Sequence, residues 1–195
     1  PKDQIIPGEK LEMGSSVKVY VSKLEIGPKG PFIMLSRSHY GFVKRLLEIE
    51  IPELSDGTIM LYSVARDAGS RSKIAVYTEY TNVDPIGAVI GEKGRRIANV
   101  LKELSGEKID VILYDKDPVK FIANALSPAK DVKVSIKDET KKEALALVND
   151  KNLSLAIGKK GQNVKLASRL THYKIEVKPE EQENTETTEE TSVEE

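Results

Sequence analysis

The sequence of 195 residues contains no cysteine and no tryptophan, and its only histidines are His39 and His172. Without cysteine the chain can form neither disulfide bonds nor thiolate nucleophiles, and two histidines are too few for the usual structural zinc sites. We interpret both histidines as ordinary surface or packing residues. Aromatic residues make up 5% of the chain, so stacking on aromatic rings is not expected to dominate any site. We predict that the chain uses no metal ion and no cofactor.

Long apolar runs are also missing. No stretch approaches the roughly 20 apolar residues that a membrane-spanning helix needs, and no charged-then-apolar N-terminal segment resembles a signal peptide. We therefore predict a cytoplasmic protein that does not contact membranes. A hydrophobic content of 39% with regular periodicity indicates that most of the chain folds. Because the chain begins at Pro1 rather than at methionine, we expect a fragment of a longer protein.

The net charge of −1 conceals an uneven distribution. Of the 31 acidic residues, eight are glutamates in residues 180–195, where there is no lysine or arginine. The rest of the chain thus has 30 basic residues against 23 acidic ones and is clearly positive. Residues 179–195 are rich in Glu and Thr without aromatics, so we predict a disordered acidic tail. The tail could serve solubility, or it could mimic phosphate and compete for the basic surface.

The first third of the chain has the pattern of a small β unit followed by a helix. Residues 17–21 (VKVYV) and 31–37 (PFIMLSR) are predicted as antiparallel strands, with GPKG between them as the connection. Residues 39–50 have apolar side chains at helical spacing and stop before Pro52.

The remainder reads as one α/β module repeated. The first copy comprises two strands, a helix capped by Asp84 and Pro85, a Gly-x-x-Gly turn, a second helix and a strand, at 58–66, 73–80, 85–90, 91–94, 95–104 and 108–114. In the second copy Asp117 and Pro118 begin a helix through residue 126, and Asn152 is predicted to cap the helix before the next glycine turn. The second copy's strands, glycine turn, following helix and last strand are predicted at 130–136, 143–148, 158–161, 162–170 and 173–178. Both glycines of the turns align at an offset of 67, which indicates an internal repeat. Because only a few residues separate the copies, we expect them to pack as a rigid tandem.

Each Gly-x-x-Gly turn contains lysine and stands before an amphipathic helix. A single such turn is often structural, since glycine commonly ends helices. However, Arg95 and Arg96 lie in the first helical turn, where the helix dipole disfavours cations by roughly 0.3–1 kcal/mol each. With Lys93 they form a basic cluster that a phosphate would stabilise, because the start of a helix offers free N–H groups and partial positive charge. Lys159 and Lys160 repeat this arrangement more weakly.

The pattern does not fit the common mononucleotide-binding loops. A Walker loop has the form G-x-x-x-x-G-K-[ST] after a strand, whereas here the turn follows a helix and has no Ser or Thr for magnesium. A dinucleotide fingerprint has the form G-x-G-x-x-G, whereas these glycines are spaced G-x-x-x-G-x-x-G. A DNA-reading helix-turn-helix is a purely helical module, whereas these helices lie among strands.

The helix, Gly-x-x-Gly turn and basic helix with flanking strands resemble the KH domain, whose loop clamps about four nucleotides of a single strand. Two strands before the helix pair and one after it resemble the type II arrangement. By this analogy the backbone would be held by the two turns and the residues after them, and the bases would lie on apolar floors. The predicted backbone contacts are Gly91, Glu92, Lys93, Gly94, Arg95, Arg96, Gly158, Lys159, Lys160, Gly161, Gln162 and Asn163, and the floors are Ile90, Ile97, Ile157 and Val164.

The order of segments further resembles the NusA family of bacterial transcription factors over residues 1 to about 178, through IMLSRSHYGFVKRLLEIEIPEL, VARDAGSRSKIAV, DPIGAVIGEKGRRIANVLKEL, GEKIDVILYDKDPVKFIANALSPA and NLSLAIGKKGQNVKLASRL. The resemblance implies an α+β chain of two tandem type II KH domains, 38–114 and 115–178, after a truncated OB-fold β segment, 1–37. It implies a single-stranded RNA-binding protein, with no catalytic site, that acts on nascent RNA with RNA polymerase and other antitermination factors. By this resemblance the protein would modulate transcriptional pausing, termination and antitermination. We expect it to be a monomer.

Some positions depart from the family pattern. Only the last two strands of a five-stranded OB barrel are evident, and the family's N-terminal polymerase-binding domain has no counterpart in these residues. Ala68 stands where the family usually has proline, in the loop DAGSR. Arg66, Arg71 and Lys73 around this loop are further candidates for phosphate contacts, although a solvated turn is an equal alternative.

Two other classes of protein stay open at this point. An accessory RNA-binding region of an RNA-processing enzyme would belong with clustered acidic metal ligands, and the sequence has no such cluster. In such enzymes the KH domain precedes the barrel, whereas the order here is reversed. A protein-interaction scaffold would use the glycine turns only structurally and would dock a partner on the basic face.

Overall fold

The computed structural model describes residues 1–28 and 30–180. Two strands of the N-terminal segment are followed by two modules of helices and strands. The N-terminal segment contains β1 (Tyr20–Gly27) and β2 (Gly30–Ser36). The first module contains α1 (Tyr40–Glu50), α2 (Pro52–Ser55), β3 (Met60–Asp67), β4 (Arg71–Tyr77), α3 (Pro85–Ile90), α4 (Arg95–Glu103) and β5 (Lys108–Leu113). The second contains α5 (Pro118–Ala125), β6 (Lys133–Asp138), β7 (Glu143–Val148), α6 (Asp150–Ile157), α7 (Gln162–Thr171) and β8 (Lys174–Pro179).

The two modules have the same sheet topology. In the first, β4 is the central strand, antiparallel to β3 and parallel to β5, so that Ile74 stands opposite both Val64 and Val111. In the second, β7 is central, antiparallel to β6 and parallel to β8. The parallel pairs require a crossover, which the two helices and the glycine turn between them provide. The predicted repeat of α+β modules is confirmed.

The helices α3 and α5 begin after the predicted N-cap residues, whereas the N-cap of α6 differs from the prediction. The side chain of Asp84 accepts a hydrogen bond from the backbone N–H of Ile86, and Asp117 caps α5 in the same way. The cap of α6 is Asn149 rather than Asn152, so this helix begins earlier than predicted. The side chain of Asn152 instead accepts from the backbone N–H of Lys130. Strand β6 also begins later than residue 130, at Lys133.

Two large hydrophobic cores hold the modules. The core of the first module forms where α1, α3 and α4 cover one face of its sheet, and it includes Phe42, Leu46, Leu47, Ile74, Val76, Val89, Val100 and Leu104. The other core is shared. It joins the outer face of the first sheet to α5, α7 and the second sheet, through Ala65, Ala75, Ile112, Phe121, Ile122, Ala144, Ala146, Leu166 and Leu170. Because α5, α7 and the second sheet cover the outer face of the first sheet, the two modules pack directly against each other.

The N-terminal segment forms an antiparallel hairpin, as predicted, although β1 starts at Tyr20 and extends to Gly27. Several of its apolar side chains are exposed, among them Leu24, Ile26 and Phe32. The segment is tied to the first module through Arg37, whose buried guanidinium pairs with Glu9 and donates to the carbonyl oxygen of Glu103 at the end of α4. The predicted disordered tail, apart from residues 179 and 180, lies outside the described residues.

Candidate nucleic-acid interface

The two glycine turns have almost the same backbone conformation. Gly91 has φ 74° and ψ 171°, and Gly158 has φ 74° and ψ 169°. The second glycine of each turn is left-handed, with φ 74° in the first turn and 73° in the second. The conformation of the first glycine is restricted essentially to glycine, because a Cβ atom would be strained there. The Gly-x-x-Gly spacing therefore encodes one backbone shape twice.

Lysine occupies the third position of both turns in the left-handed conformation. Lys93 has φ 52° and Lys160 has φ 54°, and both side chains are exposed. Lys159 and Arg95 are exposed as well, and Glu92 shares the first turn with Lys93. Within residues 1–28 and 30–180, these four basic side chains form no ion pair. Each turn thus presents positive charge to solvent on a backbone held in an unusual shape.

Helices α4 and α7 start directly after the turns without a side-chain cap. Gly94 and Gly161 are their N-cap residues, and neither can supply a side-chain acceptor. The backbone N–H groups of Arg95 and Gln162 donate to the carbonyl oxygens of Glu92 and Lys159 in the turns. The next N–H groups at the start of a helix have no intrahelical partner and favour an anion. The geometry can therefore receive a phosphate, with the exposed lysines beside it.

Arg96 and Asn163 lie at the equivalent position in the two helices, but both are engaged inside the protein. Arg96 pairs with Glu53 and donates to the carbonyl oxygen of Ala88 at 2.9 Å. Asn163 is buried, and its Nδ2 donates to the carbonyl oxygens of residues 126, 155 and 156 at 3.0–3.1 Å. The prediction that Asn163 contacts RNA is corrected, since its amide donor is used within the fold. The position of Arg96 in the first helical turn is likewise explained by its contacts with Glu53 and Ala88.

Gln162 joins the second turn to the first module. Its side-chain nitrogen donates to Asp67 Oδ2 at 2.6 Å and to Ser70 Oγ at 2.7 Å. Asp67 is the last residue of β3, and Ser70 lies in the loop that follows it, the segment predicted to be a solvated or phosphate-contacting turn. Loop and glycine turn are therefore neighbours, which their separation of more than 90 residues in sequence did not indicate.

Of the four residues predicted to form apolar floors for the bases, two lie at the surface and two pack against the hydrophobic cores. Ile90 and Ile157 are 37% and 36% exposed, at the ends of α3 and α6, and each directly precedes its glycine turn. Ile97 and Val164 are half-buried and pack against the hydrophobic cores of their modules. Only the two isoleucines that precede the turns offer substantial apolar surface to a ligand.

Of the three basic residues around the β3–β4 loop, Arg66 and Lys73 are corrected, whereas the partly exposed Arg71 stays a candidate for phosphate contact. The side chain of Arg66 is 2% exposed and forms an ion pair with Glu107, which is 0% exposed. Lys73 is also fully buried, between Asp110 and the carbonyl oxygen of Ser127, and this burial lowers the pKa of its ammonium group. Arg71 pairs with Asp110 at 3.1 Å. Arg66 and Arg71 form ion pairs within the first module. Lys73 connects this module to the second, because it donates to the carbonyl oxygen of Ser127 at the covered outer face of the first sheet.

Among residues 1–28 and 30–180, no group of three or more His, Asp or Glu side chains is placed to hold a metal ion. None of the helices in these residues is both long and apolar enough to cross a bilayer.

Two helices joined by a Gly-x-x-Gly turn and packed on a three-stranded sheet, present twice in succession, define a tandem KH-domain protein. Residues 37–114 match the family model of the NusA-like first KH domain, and residues 118–185 match that of the NusA-like second KH domain. The chain belongs to the NusA family.

Curated relatives agree with this assignment. The transcription termination/antitermination protein NusA of Halalkalibacterium halodurans is 50% identical over 180 residues, which cover 92% of this chain and 47% of the relative. The protein of the same name from Bacillus subtilis is 49% identical over 180 residues, covering 92% and 48%. That of Thermus thermophilus is 47% identical over 175 residues, covering 90% and 45%. The chain spans about half the length of the curated relatives it matches.

A solved structure supports the fold. The crystal structure of APE1850 matches with a TM-score of 0.51 at 23% identity, covering 70% of this chain and 96% of that chain. At this identity the likeness concerns the fold alone.

Proposed function

We propose that the chain binds single-stranded RNA through its two glycine turns, as a non-enzymatic part of a transcription termination and antitermination factor. The observation that carries this proposal is the duplicated turn, in which a backbone shape restricted to glycine presents exposed lysines at an uncapped helix start. Backbone phosphates would be held by Lys93, Arg95, Lys159 and Lys160, together with the backbone of Gly91, Glu92, Gly94, Gly158 and Gly161. Ile90 and Ile157 would support the first bases beside each turn.

The context of this binding is proposed from the family. The relatives carry the name transcription termination/antitermination protein, and we propose that this chain acts likewise on nascent RNA at the RNA polymerase elongation complex, with other antitermination factors. We further propose a monomeric protein located in the cytoplasm. The domain limits 1–37, 38–114, 115–178 and 179–195, with an OB-fold origin for the first segment, belong to the same proposal.

Two linked clamps are expected to bind a long RNA more tightly than a short one. Once one turn is occupied, binding of the other becomes intramolecular and gains from the effective concentration of the strand. Each KH module holds about four nucleotides, so an unstructured RNA of about twelve nucleotides can engage both turns.

The test is fluorescence-anisotropy binding of such an RNA over a series of salt concentrations. We compare the native chain with the double variant Lys93→Asp, Lys160→Asp. A matched control reverses two exposed lysines outside the turns, Lys10→Asp with Lys44→Asp, and changes the net charge by the same amount. Native binding should weaken with salt, with a log–log slope of about −0.7 per phosphate neutralised, and the turn variant should bind far more weakly with a shallower slope.

The control separates a local clamp from general electrostatic attraction. If both double variants lose affinity equally, the attraction comes from net charge and the turns are not clamps. If the turn variant binds like the native chain, the turns are structural, and a protein partner on the basic face becomes the better explanation.

A further inference from the structure

The acidic end of the chain starts from a fixed place on the second module. Strand β8 ends at Pro179, and Glu180 follows it directly. The backbone N–H of Glu180 donates to the carbonyl oxygen of Val148 at 2.8 Å, and its carboxylate pairs with Lys133. Seven further glutamates lie in residues 181–195, without any lysine or arginine. We call residues 181–195 the glutamate segment.

This starting point lies close to the second glycine turn. Val148 is the last residue of β7, and the next residue, Asn149, caps α6. Helix α6 packs along β8, since Leu153 and Val177 contact the small core that includes Ala156. A helix of its length, eight residues, spans about 12 Å and ends at the turn. The 15 residues of the glutamate segment can extend over at most about 50 Å, so the turn is well within their reach.

The second turn is surrounded by cations that have no carboxylate partner among residues 1–28 and 30–180. Lys159 and Lys160 are exposed within the turn. Lys165, in the first turn of α7, is exposed as well, and its Nζ donates to the carbonyl oxygen of Lys160 at 3.4 Å. One carboxylate, that of Asp67, lies beside Gln162 at the start of α7. Three lysines against one carboxylate make this turn attractive to an anionic segment.

The outer face of the second sheet also carries lysines near the start of the glutamate segment, but these lysines already have partners. The ion pairs on this face are Lys137 with Glu176 at 3.0 Å, Lys174 with Glu143 at 3.0 Å, Lys178 with Glu176 at 3.1 Å, and Lys133 with Glu180. A further glutamate on this face would meet neutralised lysines and the negative charge of the carboxylates beside them. The second turn is therefore the better place for the glutamate segment.

The first turn is less suited to an anionic segment. Its cations without an ion pair, as far as the structure describes the chain, are Lys93 and Arg95, and Glu92 lies between the two glycines of the same turn. Arg96 is engaged with Glu53. The second turn, by contrast, contains no carboxylate between its glycines and belongs to the module from which the glutamate segment starts.

We propose that the glutamate segment folds back onto the second glycine turn, where its carboxylates take the place of RNA phosphates beside Lys159 and Lys160, and that RNA has to displace it. This inference rests on the proposed RNA-binding function of the turns. A segment on a short tether is present at roughly millimolar effective concentration, so that even a weak contact is populated. If the segment occupies the turn about four-fifths of the time, the apparent RNA affinity falls about fivefold, because only the open fraction can bind.

The experiment removes the charge of the segment and keeps its length. In the glutamine variant all seven glutamates are replaced, as Glu181→Gln, Glu183→Gln, Glu186→Gln, Glu189→Gln, Glu190→Gln, Glu194→Gln and Glu195→Gln. Anisotropy titrations compare it with the native chain of 195 residues on the unstructured RNA of about twelve nucleotides that can engage both turns. The glutamine variant should bind about fivefold more tightly at low salt, and this gain should shrink as salt screens the contact between the segment and the turn.

Two matched backgrounds separate a local contact from an effect of net charge. Lys159→Gln with Lys160→Gln removes two cations from the second turn, and Lys93→Gln with Arg95→Gln removes two from the first. The gain from the glutamine variant should disappear in the first background and persist in the second. An equal gain in both backgrounds would overturn the inference, because the glutamates would then act only through the net charge of the protein.

Amide NMR spectra of the isotope-labelled protein test the contact without RNA. Between the native chain and the glutamine variant, the amide signals of residues 158–162 should shift, whereas those of residues 91–95 should not. Shifts at Lys137 and Lys174 in place of the second turn would put the segment on the outer face of the sheet and overturn the proposed site. Unchanged signals at all these positions would show that no contact forms, and thermal melts confirm that every variant is folded.

The outcomes also distinguish this inference from the proposed function. If Lys93→Asp with Lys160→Asp weakens RNA binding but the glutamine variant binds like the native chain, the turns are clamps and the segment does not compete with RNA. If neither the native chain nor the glutamine variant binds RNA, the proposed function fails, and the competition fails with it. Tighter RNA binding by the glutamine variant together with shifts confined to the second turn supports both.

Discussion

Arg96 and Asn163 occupy the same position in the two repeats, and each lies against the first glycine of its own turn. A Cβ atom on that glycine would approach a side-chain carbon of the arginine or the asparagine at 2.7 Å. Each of the two side chains also donates a hydrogen bond to a carbonyl oxygen at the equivalent position of the preceding helix. Different residue types therefore perform the same task, which is to fasten the start of one helix to the helix before it across the turn.

The first prediction concerns the glycines themselves. Alanine at Gly91 or Gly158 should destabilise the fold by at least the roughly 1–3 kcal/mol of backbone strain at these φ and ψ values. The effect should be larger at Gly158, because the new Cβ would lie 2.8 Å from the backbone nitrogen of Asn163, whereas at Gly91 it meets only side-chain atoms of Arg96. Gly94→Ala, with open space around the Cβ position, is the matched control and should cost less than either. Urea denaturation gives the three free energies, and any other rank order would contradict this account of the turns.

The second prediction separates structural from RNA-binding side chains in the second turn. Asn163→Ala removes a buried donor shared by three carbonyl oxygens and should cost about 1–3 kcal/mol in the free energy of unfolding. Lys160→Ala removes an exposed side chain and should leave stability within about 0.5 kcal/mol. RNA affinity should show the opposite ranking at a temperature where both variants are folded. A stable Asn163→Ala protein with weakened RNA binding would restore Asn163 to the interface.

The third prediction concerns the buried pair of Arg66 and Glu107. The carboxylate of Glu107 also accepts from Ser72 Oγ and from the backbone N–H of Gly69, so its charge is fully compensated. Arg66→Met should cost about 3–5 kcal/mol, because it leaves a buried charge without its partner. The double variant Arg66→Met, Glu107→Leu should be more stable than Arg66→Met alone. Urea denaturation of the four proteins in this cycle yields the coupling energy, and strictly additive effects would show that the two charges do not depend on each other.

The repeat and its turns were predictable because their determinants are local. Asp84 and Asp117 cap helices that start immediately after them, and the glycine spacing encodes a backbone shape over four residues. The exposed lysines of the turns follow from the same short segments. Strand alternation also located β3, β4 and β5 correctly to within a few residues.

The roles of Arg66, Lys73 and Asn163 were not predictable in this way. Arg66 meets Glu107, which is 41 positions further along the chain, and Lys73 is buried because the second module covers the outer face of the first sheet. When strands are predicted one at a time from the sequence, this outer face of the sheet is expected to be exposed to solvent.

The last prediction concerns stability in acid. The hydrogen bonds from Arg37 hold the pKa of Glu9 below its ordinary value. A carboxylate whose pKa is lower in the folded state stabilises the fold fully above its ordinary pKa of about 4.5, and this contribution is lost as the pH falls through the folded value. The free energy of unfolding of the native chain should therefore exceed that of Glu9→Gln at pH 6, and the difference should shrink below about pH 4.5. Urea denaturation of both proteins from pH 6 to pH 3 measures this difference. Other carboxylates with lowered pKa values, such as Glu176, titrate equally in both proteins. A difference that stays constant over this range would therefore mean that the hydrogen bonds from Arg37 do not lower the pKa of Glu9.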